Sequence, residues 1–283
     1  MNAIGKHFYL EDSYDGVVLG VVKLDHGLLL VDTPLRFSDQ ASWREKIMEF
    51  GEGVYRFILM LDPHIDRTMG LSALDGSVLG HESAAEILES RPASLRPHEI
   101  EAGAEAEALE QPLNVRWTLP DMSFSHSMAL YSDETPVTIT HRPGCHTAGC
   151  WARSDDEKIV FVGDSVLEHQ PPFLAWSNLE IWLEELAELQ SEPMRGYRII
   201  TSRNGIVRQE TVEKLADFLA YLKENLDGLA GQSDKKEAIA DLLPTLLRKI
   251  NFDRKFSNLY RKRLAYGLTE YLKRQETLKN SEK

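Results

Sequence analysis

The sequence lacks any apolar run of about 20 residues, the length that a helix needs to cross the hydrocarbon core of a bilayer. The first seven residues also lack the apolar core of a signal peptide, and we therefore expect a cytoplasmic protein. Cysteine is scarce, with Cys145 and Cys150 as the two in the chain. We expect both to be reduced thiols, because a disulfide between them would close a very short loop and cytosolic thiols stay reduced. A chain of 283 residues with 42% hydrophobic residues can still bury a full core.

Positive charge is in deficit over most of the chain. The formal net charge of −13 disfavours non-specific binding to nucleic acid, and we expect neither a nucleic-acid nor a membrane partner. The deficit is uneven, since residues 248–283 carry 11 Lys or Arg against 4 Asp or Glu, a net charge of +7 that leaves −20 for the rest. We interpret this basic end as a helical face packed on an acidic body or on a second subunit. Contact with an anionic partner is the alternative.

Apolar strands alternate with helices over the first two-thirds of the chain. Residues 17–23 and 28–32 predict a hairpin, Ser38 to Phe50 has helical spacing, and the last strand is expected at residues 197–201. Residues 91–112 are rich in Pro, Glu and Ala, which favours an exposed helical insertion or lid. From residue 210 onward the pattern is helical, with a break expected at Pro244. The apolar stripes within residues 212–272 predict core packing or a homodimer face.

The most informative stretch is residues 61–70, which follow the apolar strand of residues 56–61. It places Asp62, His64, Asp66 and Arg67 together at the end of a strand, a common way to hold a metal on a rigid base. Three later segments also end a strand or turn with polar groups of metal-ligand type. They are His146 in the turn of residues 142–149, Asp164 after residues 158–163, and residues 203–205 after the last expected strand.

The order and spacing of these segments resemble the metallo-β-lactamase fold superfamily over residues 15–206. Asp62 to Arg67 resembles the family's His-x-His-x-Asp-His motif, and residues 144–149 resemble Gly-His-Thr-x-Gly with one inserted residue. Residues 161–164 resemble the segment that supplies the bridging carboxylate, and residues 203–205 stand where the family has Gly-His-Gly. The resemblance implies an α/β fold, a four-layer αβ/βα sandwich with a helical C-terminal extension. It would comprise a domain of residues 1–206 and an extension of residues 207–283 packed on it.

Carried over by position, the resemblance implies one complete metal site with the ligands Asp62, His64, His146 and Asp164. The second site would retain Asp66 and share Asp164, but it has Arg67 and Asn204 where the family has histidines. Arg is not a metal ligand, so we expect no ordinary second metal. The predicted cofactor is one divalent metal, with zinc first and iron or manganese as alternatives, or else no metal at all. In that last case Arg67 would neutralise the acidic pocket.

The implied function is metal-dependent hydrolysis of a small ester, thioester, lactone or phosphoester. Asp66 would accept a proton or orient the water, and Arg67 would stabilise negative charge. One alternative is a non-catalytic binding or assembly protein that has lost its metal centre, and another is an iron-dependent oxidoreductase of the same superfamily. The remaining residues that could carry chemistry are interpreted as structural, with a ligand or pocket role as the alternative for the cysteine and the tryptophans. They are Cys145, His81, His141, Trp176 and Trp182.

Overall fold

The computed structural model describes residues 1–51, 55–110, 113–131, 136–229 and 235–281. Its strands form two large sheets and one short ribbon, and they are numbered β1 to β15 along the chain. Their bounds are β1 Asn2–Ala3, β2 Phe8–Glu11, β3 Leu19–Leu24, β4 Gly27–Val31, β5 Tyr55–Leu59, β6 Ser77–His81, β7 Ser94–Leu95, β8 Leu113–Asn114, β9 Met122–Phe124, β10 Ser127–Leu130, β11 Val137–His141, β12 Cys150–Ser154, β13 Ile159–Phe161, β14 Arg198–Thr201 and β15 Gly205–Val207.

The first sheet has seven strands in the order β1-β2-β3-β4-β5-β6-β9, and the second has six in the order β10 to β15. Strands β4, β5, β6 and β9 run parallel to one another, as do β13 and β14 in the second sheet. The expected hairpin is confirmed as β3 and β4, which pair antiparallel around a turn at residues 25–26. Parallel neighbours end at the same edge of a sheet, so both sheets gather strand ends where polar loops can meet.

The α-helices are α1 Phe37–Met48, α2 Ile65–Thr68, α3 Glu82–Glu89, α4 Pro97–Ile100, α5 Leu179–Leu189, α6 Gln209–Leu229, α7 Lys235–Arg248 and α8 Ser257–Ser281. Helix α7 runs through Pro244, so the expected break is wrong. Proline has a helical φ angle and costs one hydrogen bond. Leu243 and Leu246, on either side of it, are buried in the core and offset that cost.

The two sheets pack face to face, and helices cover their outer faces. Three clusters of buried apolar side chains fill the spaces between these four layers. The inner faces of the sheets meet in a cluster that includes Leu29, Leu59 and Phe161. The outer face of the first sheet packs on α1 and α3 through Trp43 and Leu88. The outer face of the second sheet is covered by α5 to α8 in the largest cluster. The predicted four-layer αβ/βα sandwich with C-terminal helices is therefore confirmed.

Two further expectations need correction. The last strand is β15 rather than residues 197–201, because the chain turns back at Gly205, whose φ of 68° suits glycine, and pairs again with β14. Residues 91–110 form a short strand, one turn of helix and a 3-10 turn rather than an exposed helical insertion. Leu95, Ala104 and Ala106 from this segment are buried with Ile65 and Met69. The segment therefore lies on the loop that follows β5 as an ordered cover.

Candidate functional site

Four strand ends bring the predicted site residues to one edge of the sandwich. Asp32 follows β4, Asp62 and its neighbours follow β5, Asp164 follows β13, and Arg203 follows β14. The turn before β12 adds His146 from the second sheet. All of these side chains are almost completely buried. We call the following set the polar centre: Asp32, Asp62, His64, Asp66, Arg67, His146, Asp164 and Arg203.

The loop after β5 is fixed by its own side chains. Oδ1 of Asp62 accepts a hydrogen bond from the backbone N–H of His64 at 2.8 Å, and Nδ1 of His64 accepts one from the N–H of Asp66 at 3.2 Å. The hydroxyl of Thr68 donates to the carbonyl of His64 at 3.0 Å. Pro63 keeps Asp62 out of the helical region, so α2 begins only after His64. These contacts direct Arg67 and Asp62 into the space between the sheets.

Arg67 lies at the middle of the acidic side chains. Its Nη2 lies 2.5 Å from Oδ2 of Asp164, and its Nε and Nη1 lie 3.4 Å from Asp62 and Asp32. Burial opposes the charged form, but the charges of Asp164, Asp62 and Asp32 outweigh it and raise the pKa of Arg67 well above its usual value. The guanidinium is therefore a permanent positive charge with three carboxylate partners.

Arg203 is the second guanidinium of the centre. Its Nε donates to both oxygens of Asp164 at 3.1 and 3.0 Å, and its Nη1 donates to Oδ2 of Asp66 at 3.0 Å. Its Nη2 lies 3.1 Å from Nδ1 of His64 and donates to it. Burial would raise the pKa of Asp164, but Arg203 and Arg67 lower it to about 2. Asp164 is thus a carboxylate shared between two guanidinium groups.

Asn204 was the residue placed by resemblance at the second metal, and the structure directs it elsewhere. Its Oδ1 accepts from the backbone N–H of Glu168 at 2.9 Å, and its Nδ2 donates to the carbonyl of Glu168 at 3.0 Å. It therefore ties down the loop after β13. The neighbouring Arg203 enters the centre instead, a role that the sequence interpretation missed although the residue was part of the quoted motif.

Asp66 is held by backbone donors as well as by Arg203. Its Oδ1 accepts from the N–H of Ala106 at 2.8 Å and its Oδ2 accepts from the N–H of Glu105 at 3.0 Å. Both oxygens of the carboxylate predicted to accept a proton are thus already hydrogen-bonded. As placed, Asp66 joins the loop after β5 to the segment that covers it.

The two histidines of the centre are neutral. Nδ1 of His64 accepts from Asp66 and Arg203, so its ring proton resides on Nε2, which lies 2.8 Å from Oε2 of Glu101 and donates to it. Burial and the charge of Arg203 lower the pKa of His64 well below its usual value. Burial, then the charge of Arg91, lowers the pKa of His146 to about 3. Burial raises the pKa of Glu101 to about 8.

A small cavity is left beside the histidines. Its volume is about 10 Å³, which is room for roughly one water molecule. The side chains that line it are Asp62, His64, Glu101, Cys145, His146, Asp164, Phe173 and Trp176.

Residues 91–109, which we call the lid, close the centre from outside. Arg263 of α8 holds the lid down, since its guanidinium is buried and donates to the carbonyl of Gly103 at 2.9 Å and to Oε1 of Glu105 at 3.0 Å. The same guanidinium lies 3.9 Å from the ring centroid of Phe173, a cation–π contact. A buried arginine of the C-terminal extension is therefore one of the contacts that join the extension to the lid.

Solved structures were compared with this chain. The stereoselective inverting sec-alkylsulfatase Pisa1 from Pseudomonas sp. is similar at a TM-score of 0.65 and 12% identity, covering 96% of this chain and 49% of its own. A metallo-β-lactamase family protein from Thermus thermophilus is similar at 0.64 and 20% identity, covering 97% and 95%. A metallo-β-lactamase from Pontibacter korlensis is similar at 0.59 and 15% identity, covering 77% and 97%.

The chain has the metallo-β-lactamase fold. This confirms the resemblance inferred from the motifs, at the level of the fold that such identities support. The structural neighbours are hydrolases of this fold, by name an alkylsulfatase and metallo-β-lactamases, and the chain spans about half the length of the alkylsulfatase. No protein-family model and no curated protein matches the sequence.

The residues as arranged do not fit the metal that the metallo-β-lactamase fold implies. Both oxygens of Asp164 accept from the guanidinium of Arg203. Both ring nitrogens of His64 are also engaged, Nδ1 with Arg203 and Nε2 with Glu101. Within the described ranges, no group of three or more His, Cys, Asp or Glu side chains has an arrangement that could hold a metal ion. A divalent cation would have to displace Arg67 or Arg203. The ligand set Asp62, His64, His146 and Asp164 thus stays a prediction that this arrangement does not support.

The remaining residues are mostly structural in their placement. Cys145 and Cys150 are free and buried, and burial raises the pKa of each thiol well above its usual value. Trp182 is buried and donates from Nε1 to the carbonyl of Ser165 at 2.8 Å. Trp176, by contrast, is 38% exposed and borders the cavity beside His146.

The two histidines outside the centre stack on each other. The ring centroids of His81 and His141 lie 3.6 Å apart, at an angle of 12° between the rings.

Across the described part of the chain, no helix is long and apolar enough to span a bilayer.

Proposed function

We propose that this protein is a non-catalytic binding or assembly protein that keeps the metallo-β-lactamase fold and has exchanged its metal centre for buried ion pairs. The observation that carries the proposal is the position of Arg67 and Arg203 on the carboxylates of Asp62, Asp66 and Asp164. Metal-assisted hydrolysis needs an open coordination position for water. A guanidinium has donors only and does not give up a proton at any ordinary pH, so it provides no such position.

The closed cover supports the same proposal. Space for about one water molecule lies beside His64 and His146, whereas pockets for small molecules commonly measure several hundred Å³. Two larger cavities, of about 390 and 450 Å³, lie outside the centre. One lies between α1 and β5, and the other between the loop after β13 and helix α6. Under this proposal, ligands or partners bind at the surface rather than in the polar centre.

The experiment is an elemental analysis of protein purified without chelators or added metal, followed by turnover assays. The substrates are p-nitrophenyl acetate, a thioester, a γ-lactone, a p-nitrophenyl phosphate ester and a sec-alkyl sulfate. We expect far less than one metal per chain and no hydrolysis above the blank, before and after addition of Zn²⁺, Mn²⁺ or Fe²⁺. Near-stoichiometric metal, or turnover that Asp62→Asn abolishes, would overturn the proposal. Near-stoichiometric iron alone would favour the iron-dependent oxidoreductase.

A second candidate is hydrolysis of a small ester, thioester, lactone or phosphoester. Two observations favour it: the structural neighbours are hydrolases, and Asp62, His64 and His146 converge on one cavity. This function requires the lid to open, because the cavity is closed as described. Arg263→Met weakens the hold on the lid, so turnover that appears in this variant and disappears on adding His146→Ala would support the hydrolase over the binding protein.

A further inference from the structure

We infer that Arg67 and Arg203 are built-in cations, one for each metal position of the fold, and that removing either guanidinium opens a divalent-cation site. The inference rests on the proposed function in one respect, because both require that the polar centre of the wild type binds no metal. It goes further in stating what the two arginines replace and what their loss creates. The basis is that each guanidinium contacts the carboxylate of one metal position together with the shared Asp164.

Each guanidinium contacts the carboxylate that belongs to one metal position. Arg67 contacts Asp62, which the motif assigns to the first position, through Nε at 3.4 Å. Arg203 contacts Asp66, which the motif assigns to the second, through Nη1 at 3.0 Å. Both contact Asp164, the shared carboxylate, at 2.5 and 3.0 Å. The connectivity is therefore that of two cations bridged by one carboxylate, with nitrogen atoms in place of metal ions.

The charges of the centre explain why a cation is needed at both places. Asp32, Asp62, Asp66 and Asp164 are all buried, and unpaired carboxylates so close together repel one another. Loss of one guanidinium would leave two or more buried oxygen ligands facing the vacated space. Carboxylate oxygens in that setting bind Mn²⁺ or Zn²⁺.

The neighbouring loops would keep these ligands in place after an arginine is removed. Backbone N–H groups of His64, Glu105 and Ala106 hold the Asp62 and Asp66 carboxylates independently of either guanidinium. The site left by Arg67→Ala would therefore be partly preformed, which lowers the cost of ordering ligands around an ion.

The test compares Mn²⁺ binding to the wild type, Arg67→Ala and Arg203→Ala, by isothermal titration with MnCl2 alone and by thermal unfolding with MnCl2 or EDTA. The matched control is Arg263→Met, which removes a buried guanidinium that contacts the lid rather than these carboxylates. We expect the wild type and the control to bind no Mn²⁺ and to unfold at a temperature that neither additive changes. The Arg67 and Arg203 variants should bind Mn²⁺ with an affinity at least about tenfold above the weakest binding that the titration detects, and they should unfold at higher temperature with it.

The possible failures are distinguishable. Stoichiometric metal in the purified wild type overturns this inference and the proposed function together. A metal-free wild type whose two variants bind Mn²⁺ no better than Arg263→Met overturns the inference alone. If Arg67→Ala does not fold, it is refolded from urea with and without MnCl2. Recovery only with Mn²⁺ supports the inference, and absence of recovery with Mn²⁺ contradicts it. Arg67→Lys, which keeps a positive charge, should gain no Mn²⁺ site.

Discussion

Arg263→Met is the substitution whose cost the structure defines most clearly. The guanidinium of Arg263 is wholly buried and donates to four acceptors on two other segments of the chain. They are the carbonyl of Gly103 at 2.9 Å, the carbonyl of Pro171 at 3.2 Å, Oε1 of Gln170 at 2.8 Å and Oε1 of Glu105 at 3.0 Å. Methionine keeps most of the apolar stem but removes every donor.

The expected loss in the free energy of unfolding follows from these four contacts, reduced by two effects. Each hydrogen bond contributes about 0.5 to 1.5 kcal/mol net, and breaking a buried ion pair by removing one partner costs roughly 3 to 5 kcal/mol. The loss is reduced because Glu105 is partly exposed and water can reach it. It is reduced further because burial and the nearby charge of Arg203 already lower the pKa of Arg263. We therefore expect the free energy of unfolding to fall by about 3 kcal/mol.

The assay is equilibrium unfolding in urea, followed by far-ultraviolet circular dichroism, with Lys262→Met as the matched control. Lys262 is the preceding residue on α8 and also contacts the lid, through Nζ 3.2 Å from Oε2 of Glu107, but it is largely exposed. Exposed pairs of this kind contribute about 0 to 1 kcal/mol. Limited proteolysis should also cut the lid faster in Arg263→Met. An Arg263→Met cost below about 1 kcal/mol, or one equal to that of the control, would refute the reasoning.

Three further predictions follow from single residues. Gly103→Ala should destabilise the protein by about 2 kcal/mol more than Gly196→Ala in the same urea assay. Both glycines have φ near 85°, but a Cβ on Gly103 would lie 2.4 Å from α8, whereas nothing lies within 4 Å at Gly196. Burial raises the pKa of Glu185 from 4.5 to about 7, so its contribution to stability is present below pH 4.5 and is lost as pH rises through 7. Glu185→Gln should therefore gain about 3 kcal/mol relative to wild type between pH 4.5 and 8, by urea midpoints at each pH. Asn204→Ala should cost about 2 kcal/mol, by loss of both bonds to the backbone of Glu168, without changing metal content.

The sequence predicted which segments supply the site residues better than it predicted which side chains contact one another there. Asp62, His64, Asp66 and Arg67 follow a strand at a fixed spacing, and the turn that they form contributes to where they point. Arg203 and Asn204 are adjacent in a turn, and which of the two faces inward depends on how the chain bends back at Gly205 to form β15. No periodicity or motif records that bend, so the resemblance placed the wrong neighbour at the centre.

The sequence predicted a separate insertion or lid at residues 91–112, but it did not predict that this segment contacts the polar centre. Glu101 contacts His64 and Arg263 contacts Glu105, and each contact joins segments far apart in the chain. The composition of residues 91–112 indicates exposure, because Pro, Glu and Ala dominate it. The structure instead buries the small alanines against the loop after β5 and uses backbone N–H groups as the donors. Side-chain composition contains no signal for such backbone contacts.

Under the proposed function, arginines in place of metal ions have a definite chemical consequence for the polar centre. A metal ion neutralises carboxylates and still offers a position at which water can bind and lose a proton. A guanidinium neutralises the same carboxylates through directed N–H donors, is covalently attached, and needs no metal supply. Arg67 and Arg203 both contact Asp164, and these contacts join the loops after β5, β13 and β14. Under the proposed function, the arrangement therefore keeps the structural role of a metal centre and lacks the position that activates water. Under the same proposal, ligands and partners are therefore to be sought on the surface, first at the two larger cavities beside α1 and α6.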